Sequence, residues 1–331
     1  MKPLMDEKRK GRSRPKKSSS FVREWGMFIA TAVVAAAFSI WSERHWATAW
    51  LSYLPPIVWS IPVLLSWAWP IMFRKKMRWF NVAAQLLLFM IILGYRLPIF
   101  AAFNRATPTI RVGSFNVERG AARPEGLAKW AGDENLDVIC FQEANAIDDG
   151  YWGRVRQQMP GWTLVLRREV AVMTRLPIRT SSAFPAPALD REIQIVELAS
   201  NPPVTIINNH WPALPMRISR SGVIDFKYWM DEREKCCRQL EKEAKRTSGA
   251  VIICGDFNTP LNTGLFDRIQ SLGRHAHRSV GWGFAWSYPA SFPVTAIDHI
   301  VARHCDPVTF HVGPNLGSDH RPVSSAISVP N

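Results

Sequence analysis

Seven short runs rich in β-branched and aromatic residues follow one another after residue 108, and four of them close on a polar side chain. TIRVGSFNV (109–117), DVICFQEA (137–144), EVAVMTRLPI (169–178), IQIVELA (193–199), VTIINNHW (204–211), VIICGDFN (251–258) and AIDHIVA (296–302) read as strands, because such side chains fit a pleated, half-buried surface. DEREKCCRQLEKEAKR (Asp231–Arg246) and a stretch from about Pro124 to Glu134 read as helices. Many strands with interspersed helices predict one α/β domain over 106–331 with a sheet-on-sheet core, large enough to fold without staples. The polar endings are Asn116, Glu143, His210, and Asp256 with Asn258. Each sits at a strand end, where residues distant along the chain can converge. Any one alone is an ordinary turn former. Their recurrence, together with the loop GSDHRPV (317–323), points to a shared site.

Before residue 106 the chain has another character. Residues 1–24 are rich in Lys, Arg and Ser and predict a disordered basic tail. Three apolar stretches follow, at about 25–41, 47–73 and 79–95, each near the ~20 residues needed to cross a hydrocarbon core. Aromatic residues cluster at their ends, as at headgroup level. Ala35-Ala36-Ala37 imitates a signal-peptide cleavage site, but two further apolar segments favour an anchor of about three transmembrane helices over residues 25–105. Nine Lys/Arg precede Trp25 and four lie in RKKMR (74–78), against Arg44 alone in the first connection. The positive-inside rule then puts the N-terminus and RKKMR in the cytoplasm and residues 106–331 on the periplasmic or extracellular side of an inner or plasma membrane. A re-entrant middle segment, containing Pro55, Pro56 and Pro62, would invert that side.

The net charge of +14 suggests a nucleic-acid binder until it is divided. Residues 1–105 hold 16 Lys/Arg against 4 Asp/Glu, and residues 106–331 hold 25 against 23, so the basic excess belongs to the first third. The five cysteines (140, 236, 237, 254, 305) lack paired metal-thiolate spacing and read as small core residues.

SFNVERG, DVICFQEA, NNHWP, IICGDFN, AIDHI and GSDHRPV occur in the order that marks the endonuclease/exonuclease/phosphatase, or DNase I-like, superfamily, which the chain resembles from residue 109 to about 328. The resemblance implies a four-layer αββα sandwich with the site at one end of its sheets. Cleaving a phosphate ester needs an in-line nucleophile, neutralisation of phosphoryl charge and help for the leaving oxygen. A hard cation, Mg²⁺ or Mn²⁺, supplies the second through oxygen ligands. Glu143 is the first expected ligand, as the resemblance also implies; Asp319 is the second, with Asn116 beside the metal or a phosphate oxygen. Asp256 is placed to activate water and Asn258 to donate to the phosphate. The resemblance supplies Asp298 as the carboxylate that orients His320, and His210 as a phosphate contact or leaving-group acid. His299 should point to the opposite face of its strand.

Two departures bear on substrate. Relatives often carry an Arg where this chain has Thr295-Ala296, and Leu after the strand-end His where this chain has HWPALP. Trp211, Trp286 and Tyr288 are candidates to line the cleft and stack on a base or an acyl-bearing head group. The expectation is therefore a membrane-anchored, Mg²⁺-dependent phosphodiesterase or nuclease. A phospholipid or sphingomyelin head-group phosphodiesterase, and a non-catalytic binding module on the same fold, are the alternatives.

Overall fold

The computed structural model describes residues 50–59, 79–97, 106–146, 150–185, 191–213 and 222–330, with isolated positions besides. Alternation along the strands decides the architecture. One sheet runs in the order β11 (Asp306–Pro307), β13 (Val323–Ser328), β1 (Ile110–Asn116), β2 (Val138–Gln142), β4 (Val170–Thr174), β3 (Thr163–Leu166), with β12 (His311–Val312) also paired to β13. The other runs β5 (Ile178–Pro185), β6 (Glu192–Leu198), β7 (Val204–His210), β8 (Ala250–Asp256), β10 (Asp298–Arg303), β9 (Arg274–His275). Each sheet has one parallel pair at its centre, β1 with β2 and β7 with β8, and antiparallel neighbours around it.

Every second side chain of the central strands enters the core between the sheets. Val112, Val138, Cys140, Ile206, Ile252, Cys254 and Ile300 meet there. The intervening residues pack outward. Phe115, Ile139 and Phe141 bury the helices α2 (Pro124–Asp133) and α3 (Tyr151–Gln158) through Leu127, Trp130, Tyr151 and Trp152. Ile207, Val251 and Ile253 do the same for α4 (Gly222–Arg246) and α5 (Gly264–Ser271). The result is the expected four layers, helix–sheet–sheet–helix. α4 begins well before the charged stretch that marks it in the sequence, because the residues preceding Asp231 continue the helix. All five cysteines are buried, as expected of core residues.

Of the three apolar stretches, the first two lie largely outside the described residues. The third contains α1 (Trp79–Ile92), whose 14 residues reach about 21 Å at 1.5 Å per residue, against a hydrocarbon core of ~30 Å. Gly94, at φ +76°, turns the chain after it. Among the described residues no helix is long and apolar enough to cross a membrane.

Three histidines lie buried where β9, β10 and the short helix α6 (Ala276–Val280) meet. The Arg278 N–H donates to His275 Nδ1 (3.2 Å), so His275 donates through Nε2 to His299 Nδ1 (3.2 Å), and His299 Nε2 donates to the Thr259 carbonyl (2.7 Å). The chain needs both rings neutral, and burial enforces it. It lowers the His275 pKa well below the usual value and brings His277 and His299 to about 4. A histidine with a depressed folded pKa stabilises the fold above its unfolded pKa near 6.5, and that stability is lost as pH falls toward 4. We expect the thermal midpoint to fall between pH 6.5 and 4. His277→Gln should flatten this acid limb by about 2 kcal/mol, read from denaturation at pH 7 and pH 4.5. An unchanged acid limb in the variant would refute the assignment.

Candidate active site

Parallel pairing brings strand ends together. Asn116 lies opposite Gln142 in the first sheet, and His210 opposite Asp256 in the second. The antiparallel strand β10 contributes its first residue, Asp298, opposite Asp256. The loop before β13 supplies Asp319 and His320, fixed by the Ser318 hydroxyl donating to the Asn116 carbonyl (2.7 Å). Glu143 follows β2 at φ +50° and Asn258 follows β8 at φ +49°. Asparagine tolerates that left-handed conformation, whereas for a glutamate it is uncommon and costs free energy that the surrounding structure must hold.

Asp256 is the hub. Its Oδ2 accepts from Asn116 Nδ2 (3.0 Å) and Asn258 Nδ2 (3.3 Å), and lies 3.7 Å from His210 Nε2 and 3.6 Å from His320 Nε2. Its Oδ1 accepts the Asn258 backbone N–H at 2.9 Å. Asn116 Nδ2 also reaches Glu143 Oε1 (3.3 Å), which is 3.9 Å from His210 Nε2. The carboxylates, amides and imidazoles singled out in the sequence therefore meet at one end of the sheets.

Each imidazole is oriented by its own acid. His320 Nδ1 donates to Asp298 Oδ2 (2.9 Å), which also accepts from the Ser287 hydroxyl (2.6 Å). His210 Nδ1 donates to Glu169 Oε2 (2.5 Å), and Arg191 pairs with the same oxygen at 2.8 Å while abutting the imidazole. Burial disfavours the charged form of His320, but the negative field of Asp298 and Asp256 outweighs it and raises the pKa to about 10. Glu169 shows the mirror case. Burial pushes its carboxyl up, and the charges of His210 and Arg191 bring it below the ordinary value. Beneath the site, Gln142 Nε2 donates across the sheets to Asn208 Oδ1 (2.7 Å), and Asn208 Nδ2 donates to the carbonyls of Phe141 and Ala171, both at 3.0 Å. This buried amide clamp holds the two sheets at a fixed spacing below the clustered polar groups.

A hard cation fits this end of the molecule. Asp319 is half-exposed and its pKa is raised, first by burial and then by the neighbouring charges of Glu118, Glu143 and Asp256, against the opposing pull of His320. Such a crowd of carboxylates is what a divalent cation would relieve. Asp256, Asp298 and His320 also present ligand atoms within 4.8 Å of one another. Both His320 nitrogens and Asp298 Oδ2 are engaged within that trio, so it suits proton handling better than ligation; Asp298 Oδ1 is buried without a partner. Glu143 and Asp319 stand at the open lip with oxygens to offer. Asn116 turns its amino group to the carboxylates, while its Oδ1 accepts the Glu118 N–H (2.9 Å).

Four contributors went unrecognised in the sequence. Glu169 precedes an apolar strand; its place beside His210 follows only once β4 is known to run antiparallel to β2. Arg191 and Ser287 lie in connections without a motif. Glu118, in SFNVERG, accepts the Asp319 N–H (2.8 Å) and so pins the loop that carries His320. Of the three aromatic candidates, Tyr288 sits with its ring 4.9 Å from that of His320, and Trp286 stacks on Phe284. Trp211 is instead buried against Phe257, at 5.2 Å between ring centres, and does not line the cleft.

Because Glu169 fixes the His210 tautomer, Glu169→Gln should lower kcat on a phosphodiester about 100-fold with a smaller change in KM, and should move the pH–rate profile. A stability loss with an unaltered profile would reduce Glu169 to a packing role.

A sequence model described as the Endonuclease/Exonuclease/phosphatase family matches residues 113–320. No curated protein matches the chain in sequence. Among solved structures, a mannosyl-6-phosphatase of Bacteroides thetaiotaomicron VPI-5482 superposes with a TM-score of 0.54 at 16% identity, over 66% of this chain and 99% of that one. A 3'-5' exonuclease from Neisseria meningitidis gives 0.52 at 18% identity, over 65% and 98%. An endonuclease/exonuclease/phosphatase family protein, also from Bacteroides thetaiotaomicron, gives 0.54 at 17% identity, over 68% and 100%. At these identities the likeness is one of fold.

Proposed function

The chain belongs to the endonuclease/exonuclease/phosphatase family, and from that premise we propose that it is a divalent-metal-dependent phosphoric ester hydrolase, a phosphodiesterase in reaction type. The observation that carries this reading is the Asp256 carboxylate, buried yet ringed by two amide donors and two imidazoles. Asp256 takes the proton of the attacking water as the new P–O bond forms. Asn258 and Asn116 orient that carboxylate through their amide N–H groups. His320, held by Asp298 and kept protonated by its acidic surroundings, donates to a non-bridging oxygen. His210, held by Glu169, gives a proton to the leaving oxygen as the second P–O bond breaks. Mg²⁺ or Mn²⁺ held by Glu143 and Asp319 would neutralise charge on the phosphoryl group.

The N-terminal apolar stretches are proposed to anchor the chain in a membrane, with residues 106–331 on the far side. A reporter after Asn331 tests this: periplasmic-type alkaline phosphatase activity is expected, and fluorescence of a cytoplasm-only reporter would reverse the orientation.

For the chemistry, bis(p-nitrophenyl) phosphate should be hydrolysed by the full chain in detergent with Mg²⁺, and chelation should abolish turnover by at least 100-fold, reversibly. Undiminished activity in chelator removes the metal from the reading. Inertness toward all phosphate esters, with no cation binding, favours a binding module.

A further inference from the structure

The segment GWGFAWSY (281–288) alternates without exception. Trp282, Phe284, Trp286 and Tyr288 are exposed or half-buried, whereas Gly283, Ala285 and Ser287 between them are buried. A period of two places the four aromatic side chains on one face of the segment. The inner face serves the site, since Ser287 donates to Asp298 and the Ser287 carbonyl accepts the Arg321 N–H (2.8 Å). The outer ridge starts where the α1 segment arrives. Arg96 N–H donates to the Gly283 carbonyl (3.0 Å) and Gly283 N–H to the Arg96 carbonyl (2.9 Å). Tyr95 meets Phe284 edge-on at 5.0 Å, and Phe284 stacks on Trp286 at 4.1 Å. The ridge ends at Tyr288, against His320. Ser287 lies four positions after Gly283, at most about 14 Å of extended chain. The Asp298–His320 pair therefore lies within a short reach of the point where the N-terminal segment joins the domain.

That segment is patterned inside out. On α1 the polar Gln85 is buried while Leu86, Leu87 and Ile91 are exposed; before it, Ser52 is buried while Ile57 and Ile61 are exposed. In water the polar side chains would face outward and the leucines inward. Polar-in and apolar-out is the arrangement of a surface that meets hydrocarbon. The exposed apolar surface continues through Leu97 to the ridge. Trp282 and Phe292, 71% and 74% accessible, are the most exposed large apolar residues among those described. Phe292 projects from a turn whose neighbour, Ala290, bonds through its N–H to the Asp319 carbonyl (2.6 Å).

We propose that this aromatic ridge, with Phe292, is seated in the interfacial layer of a lipid bilayer, and that the substrate is a phosphate ester in the head group of a lipid drawn from that same bilayer. The substrate class rests on the hydrolase reading above; the docking does not. Trp and Tyr favour the headgroup level, which is where a lipid phosphate lies. An aromatic ridge would also stack on bases of a single strand. The charge balance opposes that occupant: residues 106–331 hold 25 Lys/Arg against 23 Asp/Glu and lack the basic excess that retains a polyanion.

The test uses the full chain reconstituted in phosphatidylcholine vesicles containing phosphatidylglycerol. Because the native cysteines of the structure are buried, Trp282→Cys, Phe292→Cys and, on the exposed face of α2, Asp133→Cys can each be labelled with an environment-sensitive fluorophore. Spin-labelled lipid should quench labels at 282 and 292 at least threefold more than the label at 133. Equal quenching at all three positions overturns the docking. So does energy transfer between chains without lipid quenching, which would make a second copy the occupant.

Turnover addresses the substrate class separately. The Trp282→Ser/Phe292→Ser double variant should hydrolyse bis(p-nitrophenyl) phosphate within twofold of the parent, yet lose at least tenfold on vesicle phospholipid. Cleavage of a single-stranded oligonucleotide with phospholipid untouched overturns the class and leaves the hydrolase reading standing. Cleavage of none of the three esters sinks the hydrolase reading, and the quenching result still decides the docking.

Discussion

Asp256→Asn should reduce kcat on a phosphodiester by about 10³-fold while leaving KM within a few-fold and the fold intact. The side chain is buried and its oxygens are already bound by Asn116, Asn258 and the Asn258 backbone N–H. An amide of the same shape keeps its oxygen in place for part of that network and loses the ability to take a proton from water. The substitution thus separates proton abstraction from architecture. Circular dichroism and the thermal midpoint should be near those of the parent, so the loss cannot be assigned to unfolding. Retention of more than about a tenth of the parent kcat would falsify the assignment of Asp256 as general base. The role would then pass to a neighbouring imidazole, His320 at 3.6 Å or His210 at 3.7 Å.

Gly255→Ala should damage stability and activity together, and more than its one added methyl suggests. Gly255 pairs with Asn209 across the parallel β7–β8 ladder, at φ +156°. A Cβ there would lie 2.0 Å from the Asn209 carbonyl oxygen, which is backbone and cannot rotate aside. Neighbouring strands stand about 4.8 Å apart, so relief requires separating β7 from β8 next to His210 and Asp256. Overpacking of this kind costs about 3 kcal/mol, roughly 6–12 °C in Tm for a domain of this size. Activity per folded molecule should fall at least tenfold, because the same shift moves His210 against Asp256. Calorimetry together with kcat at low temperature checks both parts. A Tm within 2 °C of the parent would show that the ladder yields at this point.

The residues that converge at this end of the sheets were legible in the sequence, and for a physical reason. A buried strand is a run of apolar side chains, and a polar group at its end interrupts that run abruptly, as in VIICGDFN and VTIINNHW. Asn116, Glu143, His210, Asp256 and Asn258 carry that signature. Asp298 instead begins its strand, and the family resemblance was needed to place it beside His320. Glu169 also opens a strand, where a carboxylate after a loop is ordinary, and it escaped notice. Trp211 misled in the other direction, because its position after His210 says nothing about which way the ring turns. In the structure it turns into the layer beneath α4.

The order of apolar and polar residues thus determined by itself that two sheets would form, which side chains would be interior, and which strand ends would carry polar groups. These are local matters of period and composition. Which ends coincide was decided only by tertiary structure. An antiparallel neighbour brings its beginning to the place where a parallel pair brings its ends, and the packing of one sheet on the other then sets Glu169 against His210 and Asp298 against His320. The aromatic ridge shows the same division. Its alternation is written in 281–288, but its closeness to both α1 and His320 arises from backbone pairing between Arg96 and Gly283, residues far apart in the chain.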